Sequence, residues 1–183
     1  APDSEAARAL GLLLLSKIDT TPDDVLPALD AFVDAFADWV SEQEARIPTF
    51  GPRNQGANES VKRSRTAAGR MQESVRLLRH PDQDHLRRAF ALAMAAMRLQ
   101  MRQASINRGA ENPPEPVWRP FQLGFLLVAL ASTVDDKHSD RELVDLIWFP
   151  TGGGKTEAYL GLAAIEIFRR RLLYGVRGGG TAV

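Results

Sequence analysis

Lys155 and Thr156 stand directly after three glycines, Gly152 to Gly154, and directly before a stretch of helical character, Glu157 to Tyr174. That order suits phosphate. Successive glycines let backbone N–H groups converge on phosphate oxygens with no Cβ in the way. The N-terminus of the helix that follows adds partial positive charge. Lys155 would reach the β- and γ-phosphates of a nucleotide, and the Thr156 hydroxyl would ligate Mg²⁺. The candidate ligands are therefore Thr151, Gly152, Gly153, Gly154, Lys155 and Thr156, with Lys155 and Thr156 as the candidate catalytic pair. The loop departs from the general G-x-x-x-x-G-K-[ST] pattern, because Phe149 holds the first glycine position.

Pro150-Thr151-Gly152-Gly153-Gly154-Lys155-Thr156 instead resembles motif I of superfamily 2 helicases and translocases. Those proteins carry an aromatic-Gln element ahead of motif I, whose glutamine amide reads adenine by donating and accepting together. Trp118-Arg119-Pro120-Phe121-Gln122 looks like that element, about thirty residues before the loop. Over residues 117–183 the strings Arg-Pro-Phe-Gln, Trp-Phe-Pro-Thr-Gly-Gly-Gly-Lys-Thr-Glu-Ala-Tyr-Leu-Gly-Leu and Gly-Gly-Gly-Thr-Ala-Val resemble the DrmA family of DISARM antiphage helicases. The resemblance implies tandem RecA-like domains with helical accessory regions, ATP as cofactor, ATP-driven work on DNA, and a DrmB-like partner subunit. It assigns adenine selection to Gln122. The Walker B acid, the coupling motifs and the arginine finger of that family do not occur here, so this chain by itself is expected to be incompetent for hydrolysis.

These residues need elements to hold them. Ala6 to Lys17 reads as one short helix. Thr21 is placed as an N-cap with Pro22 at the first helical position, opening a helix whose stripe is Val25, Leu29, Phe32, Phe36, Trp39 and Val40. Residues 47–58 read as a loop. A third helix over about 58–79 ends at His80-Pro81, and a fourth runs over about 83–108, with a short connection that makes the two antiparallel neighbours. The methionines on the stripe of the fourth helix (Met97, Met101) suit core filling better than an adaptable groove. The Asn112-Pro113-Pro114-Glu115-Pro116 run marks a linker, giving a helical region 1–110, a linker 111–117 and an ATP-binding part 118–183. There Phe121 to Ala131 reads as a buried helix and Leu143 to Phe149 as a strand. A second strand opens at Thr181. The expected fold is thus a helical region followed by the start of an α/β P-loop (RecA-like) domain, in a fragment of a larger helicase.

Composition narrows the chemistry. The 183 residues contain no cysteine and three histidines, which excludes thiolate zinc sites and cysteine nucleophiles and argues against a multi-histidine metal centre. No apolar run has the length of a membrane span, and acids precede the apolar Ala9–Leu15 where a secretory signal needs positive charge. A cytoplasmic chain is expected.

The net charge of zero hides a segregation. Residues 1–57 carry ten acids and four bases, whereas residues 58–110 carry eleven bases and four acids. Arg65, Arg76, Arg79 and Arg87 either follow a phosphate backbone or pair across a bundle with Asp30, Asp34, Asp38 or Glu42, and the matched charges favour the pairing. Asp135-Asp136-Lys137-His138-Ser139-Asp140 lacks the spacing of a calcium loop and reads as a solvated loop, with Ser139 and Glu142 at capping-box spacing. Glu157 complements a helix N-terminus more simply than it serves as a base. Arg169 to Arg171 suit a helix C-terminus.

The sequence therefore reads as the ATP-binding segment of a DNA helicase or translocase of DISARM type. The alternative is a nucleotide-holding assembly module without turnover. A small-molecule kinase is disfavoured by Phe149 and the Arg-Pro-Phe-Gln element.

Overall fold

A computed structural model describes residues 4–146 and 154–179. Seven α-helices account for most of them: α1 (Glu5–Arg8), α2 (Leu12–Leu15), α3 (Pro22–Arg46), α4 (Asn54–Arg79), α5 (Asp84–Asn107), α6 (Pro120–Val134) and α7 (Lys155–Tyr174). Among the described residues there is no strand and no sheet, only an isolated antiparallel bridge between Gly11 and Val117. The expected start of an α/β P-loop (RecA-like) domain is therefore wrong. Leu143, Val144 and Leu146, assigned to a strand, lie in irregular backbone and are 58%, 93% and 80% exposed. The remaining residues of that run, 147–149, and the second strand at Thr181 lie outside the described residues. The physical reason is visible in the helices. A sheet needs helix faces to cover it, and Leu123, Leu126, Leu127 and Leu130 of α6 and Ala158 and Ile165 of α7 are already buried in a helical core.

Proline and glycine set most boundaries. Pro22 opens α3 and Pro120 opens α6, each in the first turn, where a missing N–H costs nothing. His80-Pro81 stops α4 at Arg79, as expected. Other expectations change. Gly11, in extended backbone, splits the first helix into α1 and α2, because its backbone is drawn into the bridge to Val117. Thr21 occupies the N-cap of α3 but makes no side-chain cap, its hydroxyl donating to the Lys17 carbonyl at 3.4 Å. Residues 47–58 are not a loop: a 3₁₀ segment, Ile47–Arg53, kinks at Gly51 and leads straight into α4. The stripe of α3 also rotates. Val25, Leu29 and Val40 are buried with Leu26, Ala28 and Val33, whereas Phe32 and Phe36 are half-buried and Trp39 is 48% exposed.

The helices pack in the order α3, α4, α6, α7, α5, α2, with α1 against α3. So α4 and α5 are not packed neighbours despite their short connection. α6 and α7 stand between them, and α5 pairs most extensively with α7. One hydrophobic core draws on both sides of residues 111–117, from Leu12, Leu29, Val75 and Phe90 to Leu126 and Ile165. The 111–117 segment is itself fastened: Glu115 pairs with Arg98 of α5, and the Trp118 N–H donates to the Leu10 carbonyl at 2.8 Å. Trp118 is fully buried, and its indole N–H points to the Met94 sulfur at 3.3 Å. Gly161 lets α7 approach the ring, since a Cβ there would lie 3.1 Å from Trp118 Cη2.

Trp118 thus fills the junction of α5, α6 and α7. Trp118→Ala is expected to cost about 3–5 kcal/mol of unfolding free energy, read from urea midpoints. A loss below about 1 kcal/mol would remove Trp118 from the centre of the packing.

Candidate functional site

Trp118 places the next residues. Arg119 is the N-cap of α6, Pro120 its first residue and Gln122 its third. Gln122 is buried although polar, and both ends of its amide are used. Its Oε1 accepts the Arg119 backbone N–H at 2.8 Å, satisfying a donor at the start of α6. Its Nε2 donates to the Gly154 carbonyl at 2.6 Å. Gly154 is in turn the N-cap of α7, with Lys155, Thr156 and Glu157 forming that helix's first turn. One glutamine therefore joins the N-termini of two helices 32 positions apart in sequence.

Gly154 adopts φ 87°, ψ 24°, a left-handed conformation that only glycine holds cheaply. A Cβ there would also fall 2.7 Å from Gln122 Nε2. The glycine is needed twice, for its dihedral and for the approach of the amide.

An open cavity of about 420 Å³ lies at this junction, lined by Arg119, Gln122, Gly154, Lys155, Thr156 and Glu157, with Met101 and Val117 at its apolar side. Its size is that of a small-molecule site. Two helix N-termini contribute partial positive charge, and Lys155 and Arg119 add cationic side chains. Glu157 is the one carboxylate among the described residues lining it. Thr156 is exposed and Lys155 half-buried. The arrangement can receive an anion with a polar body.

Of the residues expected at the site, the fold brings together Gln122, Gly154, Lys155 and Thr156; Thr151, Gly152 and Gly153 lie outside the described residues. Gln122 differs from the expectation of a base reader only. Two of its hydrogen-bonding positions are committed to the protein, leaving one N–H and one oxygen lone pair. Arg119 is a lining residue that sequence reasoning missed, although it stands inside the Arg-Pro-Phe-Gln string.

The other candidates resolve structurally. Among the described residues no cluster of three or more His, Asp or Glu side chains could hold a metal. The Asp135–Asp140 stretch is a turn: Asp135 Oδ1 accepts the Lys137 N–H at 2.9 Å, and His138 Nδ1 accepts the Asp140 N–H at 3.0 Å. Irregular backbone follows Ser139, so it caps no helix. Of the basic helices, Arg79 pairs with Asp30 and Arg65 with Glu44, across the α3–α4 packing. Arg87 pairs with Asp84 and donates to the His80 carbonyl at 2.7 Å, closing the turn between α4 and α5. Arg169 holds Glu166 with two hydrogen bonds of 2.7 and 3.0 Å, and Arg170 lies over the Tyr174 ring at 5.7 Å. No helix of the described residues is long and apolar enough to cross a membrane.

The class defined by the described residues is a helical unit in which two helix N-termini meet over a polar, anion-receptive cavity. Compared with known proteins, the chain is similar to the DISARM protein DrmA of Bacillus paralicheniformis, with 32% identity over 174 residues. The matched region covers 87% of this chain, and the chain spans 15% of the length of that relative. The similarity supports a relation to DISARM proteins. No protein-family model matches the chain, and no solved structure matches it.

Gly154→Ala is expected to lower stability by about 1–2 kcal/mol from the left-handed dihedral alone, with faster amide exchange over the first turn of α7. An unchanged urea midpoint would contradict the left-handed N-cap.

Proposed function

We propose that the cavity between α6 and α7 binds ATP with Mg²⁺, and that the chain is the ATP-binding segment of a superfamily 2 DNA helicase or translocase in a DISARM-type antiphage defence system. The observation that carries this reading is the convergence of Gln122, Gly154, Lys155 and Thr156 on one cavity. The residues suit the ligand chemically. The N–H groups at the start of α7 and the Lys155 ammonium complement phosphate oxygens, Thr156 offers a hydroxyl to Mg²⁺, and the remaining N–H and lone pair of Gln122 suit one edge of adenine. ATP supplies the free energy for movement along DNA. Turnover, DNA and a DrmB-like partner subunit belong to the full-length protein, which we place in the cytoplasm with its DNA substrate. The likeness to DrmA supports the defence role.

A second reading, a nucleotide-holding assembly module without turnover, is favoured by one feature. Glu157 is the one carboxylate lining the cavity among the described residues, and it sits where it complements the α7 N-terminus. Stoichiometric ATP binding by the full-length protein with no phosphate release would favour this reading over the helicase.

In the full-length protein, Lys155→Ala is expected to weaken ATP binding or turnover by roughly 100-fold or more, measured by calorimetry and phosphate release. Wild-type affinity in that variant would overturn the phosphate role of Lys155. Gln122→Ala separates two contributions. Loss of the Gly154 hydrogen bond alone weakens ATP and GTP equally, whereas loss of adenine recognition also narrows the preference for ATP. Equal affinities of the unaltered protein for ATP and GTP would remove the adenine-reading role.

A further inference from the structure

We infer that the outer face of α5 is a docking surface for an acidic amphipathic helix, supplied by the part of the full-length protein outside residues 1–183. The chain spans 15% of the length of its DrmA relative, so there is ample chain to supply one. α5 is apolar on two sides. Its inner side, with Leu86, Phe90, Met94 and Met97, is buried in the core. Leu92, Leu99 and Ile106 stand on the opposite side and are 37%, 64% and 43% exposed. They recur every seven residues, so they form one stripe along the helix that drifts only slightly around it. α5 packs on α7, on α2 and on the turn that precedes it, which leaves the stripe in water. A helix with apolar residues on both sides is normally enclosed on both.

Charge says what covers it. Arg88 lies four positions before Leu92, and Arg102 lies three after Leu99 and four before Ile106, so both flank the stripe. Both are exposed and form no salt bridge among the described residues, whereas Arg87 and Arg98 are taken by Asp84 and Glu115. Residues 85–110 contain no acid at all. An apolar seam edged by arginine, on an acid-free helix, fits a helix whose own seven-residue apolar stripe is edged by carboxylates. A second α5 does not fit, because arginine would face arginine. Nucleic acid would meet the arginines but leave the leucines uncovered, and no aromatic residue stands on the stripe for bases to stack on. Size decides the source. The strip measures about 21 Å by 10 Å, well short of the roughly 800 Å² per partner of a stable complex. So small a contact holds a helix tethered in the same chain, at high effective concentration, and not a separate protein.

The test places single thiols in the full-length protein and reads each by peptide mapping, since residues 1–183 contain no cysteine of their own. Leu92→Cys, Leu99→Cys and Ile106→Cys should react with a maleimide at least about tenfold more slowly than Gln100→Cys, an exposed position off the stripe. Arg88→Glu combined with Arg102→Glu should release the docked helix and quicken the reaction of Leu99→Cys at least about fivefold. A photocrosslinker, p-benzoylphenylalanine in place of Leu99, identifies the occupant in a mixture of isotope-labelled and unlabelled protein. It should join an acid-rich segment outside residues 1–183, with both crosslinked peptides of one isotopic type. Thiols as reactive on the stripe as at Gln100→Cys, or protection that survives the charge reversal, would overturn the proposal. So would crosslinks to a second copy, to another protein or to nothing, and so would protection that appears only once DNA is added.

Discussion

The side chain of Gln122 joins two helix N-termini, and much of the molecule is arranged so that they can meet. Each N-terminus carries unsatisfied N–H groups and partial positive charge, so bringing two together is unfavourable without a polar group between them. Gln122 accepts from one helix start and donates to the N-cap carbonyl of the other. That amide can reach only because α6 and α7 are packed close at the level of Trp118, where Gly161 removes the Cβ that would hold them apart. Trp118 in turn is located by its backbone hydrogen bond to Leu10 and by Met94 of α5. The site thus depends on contacts from the first ten residues to the middle of α5, not only on the local Arg-Pro-Phe-Gln string.

The helices and their ends were largely legible in the sequence, and their neighbours were not. Pro22, Pro81 and Pro120 act locally, through a missing N–H and a restricted preceding residue, so they mark boundaries whatever the tertiary context. Which helix faces which depends on sequence-distant complementarity, and α6 and α7 displaced α4 as the partner of α5. The strand reading of the described residues 143–146 failed for a related reason. A short apolar run has the right length for a strand, but its backbone needs a paired neighbour, and the described part of the run is instead fastened through Asp145. A single polar residue inside an apolar stretch weighs little in a periodicity argument, yet its pairing with Arg70 decides where the segment goes.

The candidate site was legible in a different measure. Gly154, Lys155 and Thr156 were expected from residue types and order and Gln122 from the family resemblance, and the four line one cavity. What no spacing announced is that Gln122 spends half of its hydrogen-bonding capacity on the protein, holding the starts of α6 and α7 together. Arg70 was equally hidden. It looked like one of eleven bases in a cationic stretch, and only burial separates it from the exposed Arg65 and Arg79.

That contrast bears on the charge segregation between residues 1–57 and 58–110. One of the expected cross-bundle pairs forms, Arg79 with Asp30, and Arg65 takes an acid that was not expected, Glu44, but all four side chains are between 40% and 54% exposed. Pairs so wet contribute on the order of 0–1 kcal/mol and are screened by salt. The segregation therefore does little to hold α3 on α4, which the buried Leu29, Val33, Met71 and Val75 accomplish. Its effect is on choice rather than strength. A helix with acids along its solvent side, beside a helix rich in arginine, disfavours arrangements that set like charges together. The same logic applies to Arg70 at higher stakes, because a buried guanidinium tolerates few partners. It restricts residues 135–146 to a course that delivers Asp140 and Asp145 to it, and so ties that irregular segment to a helix that does not line the cavity.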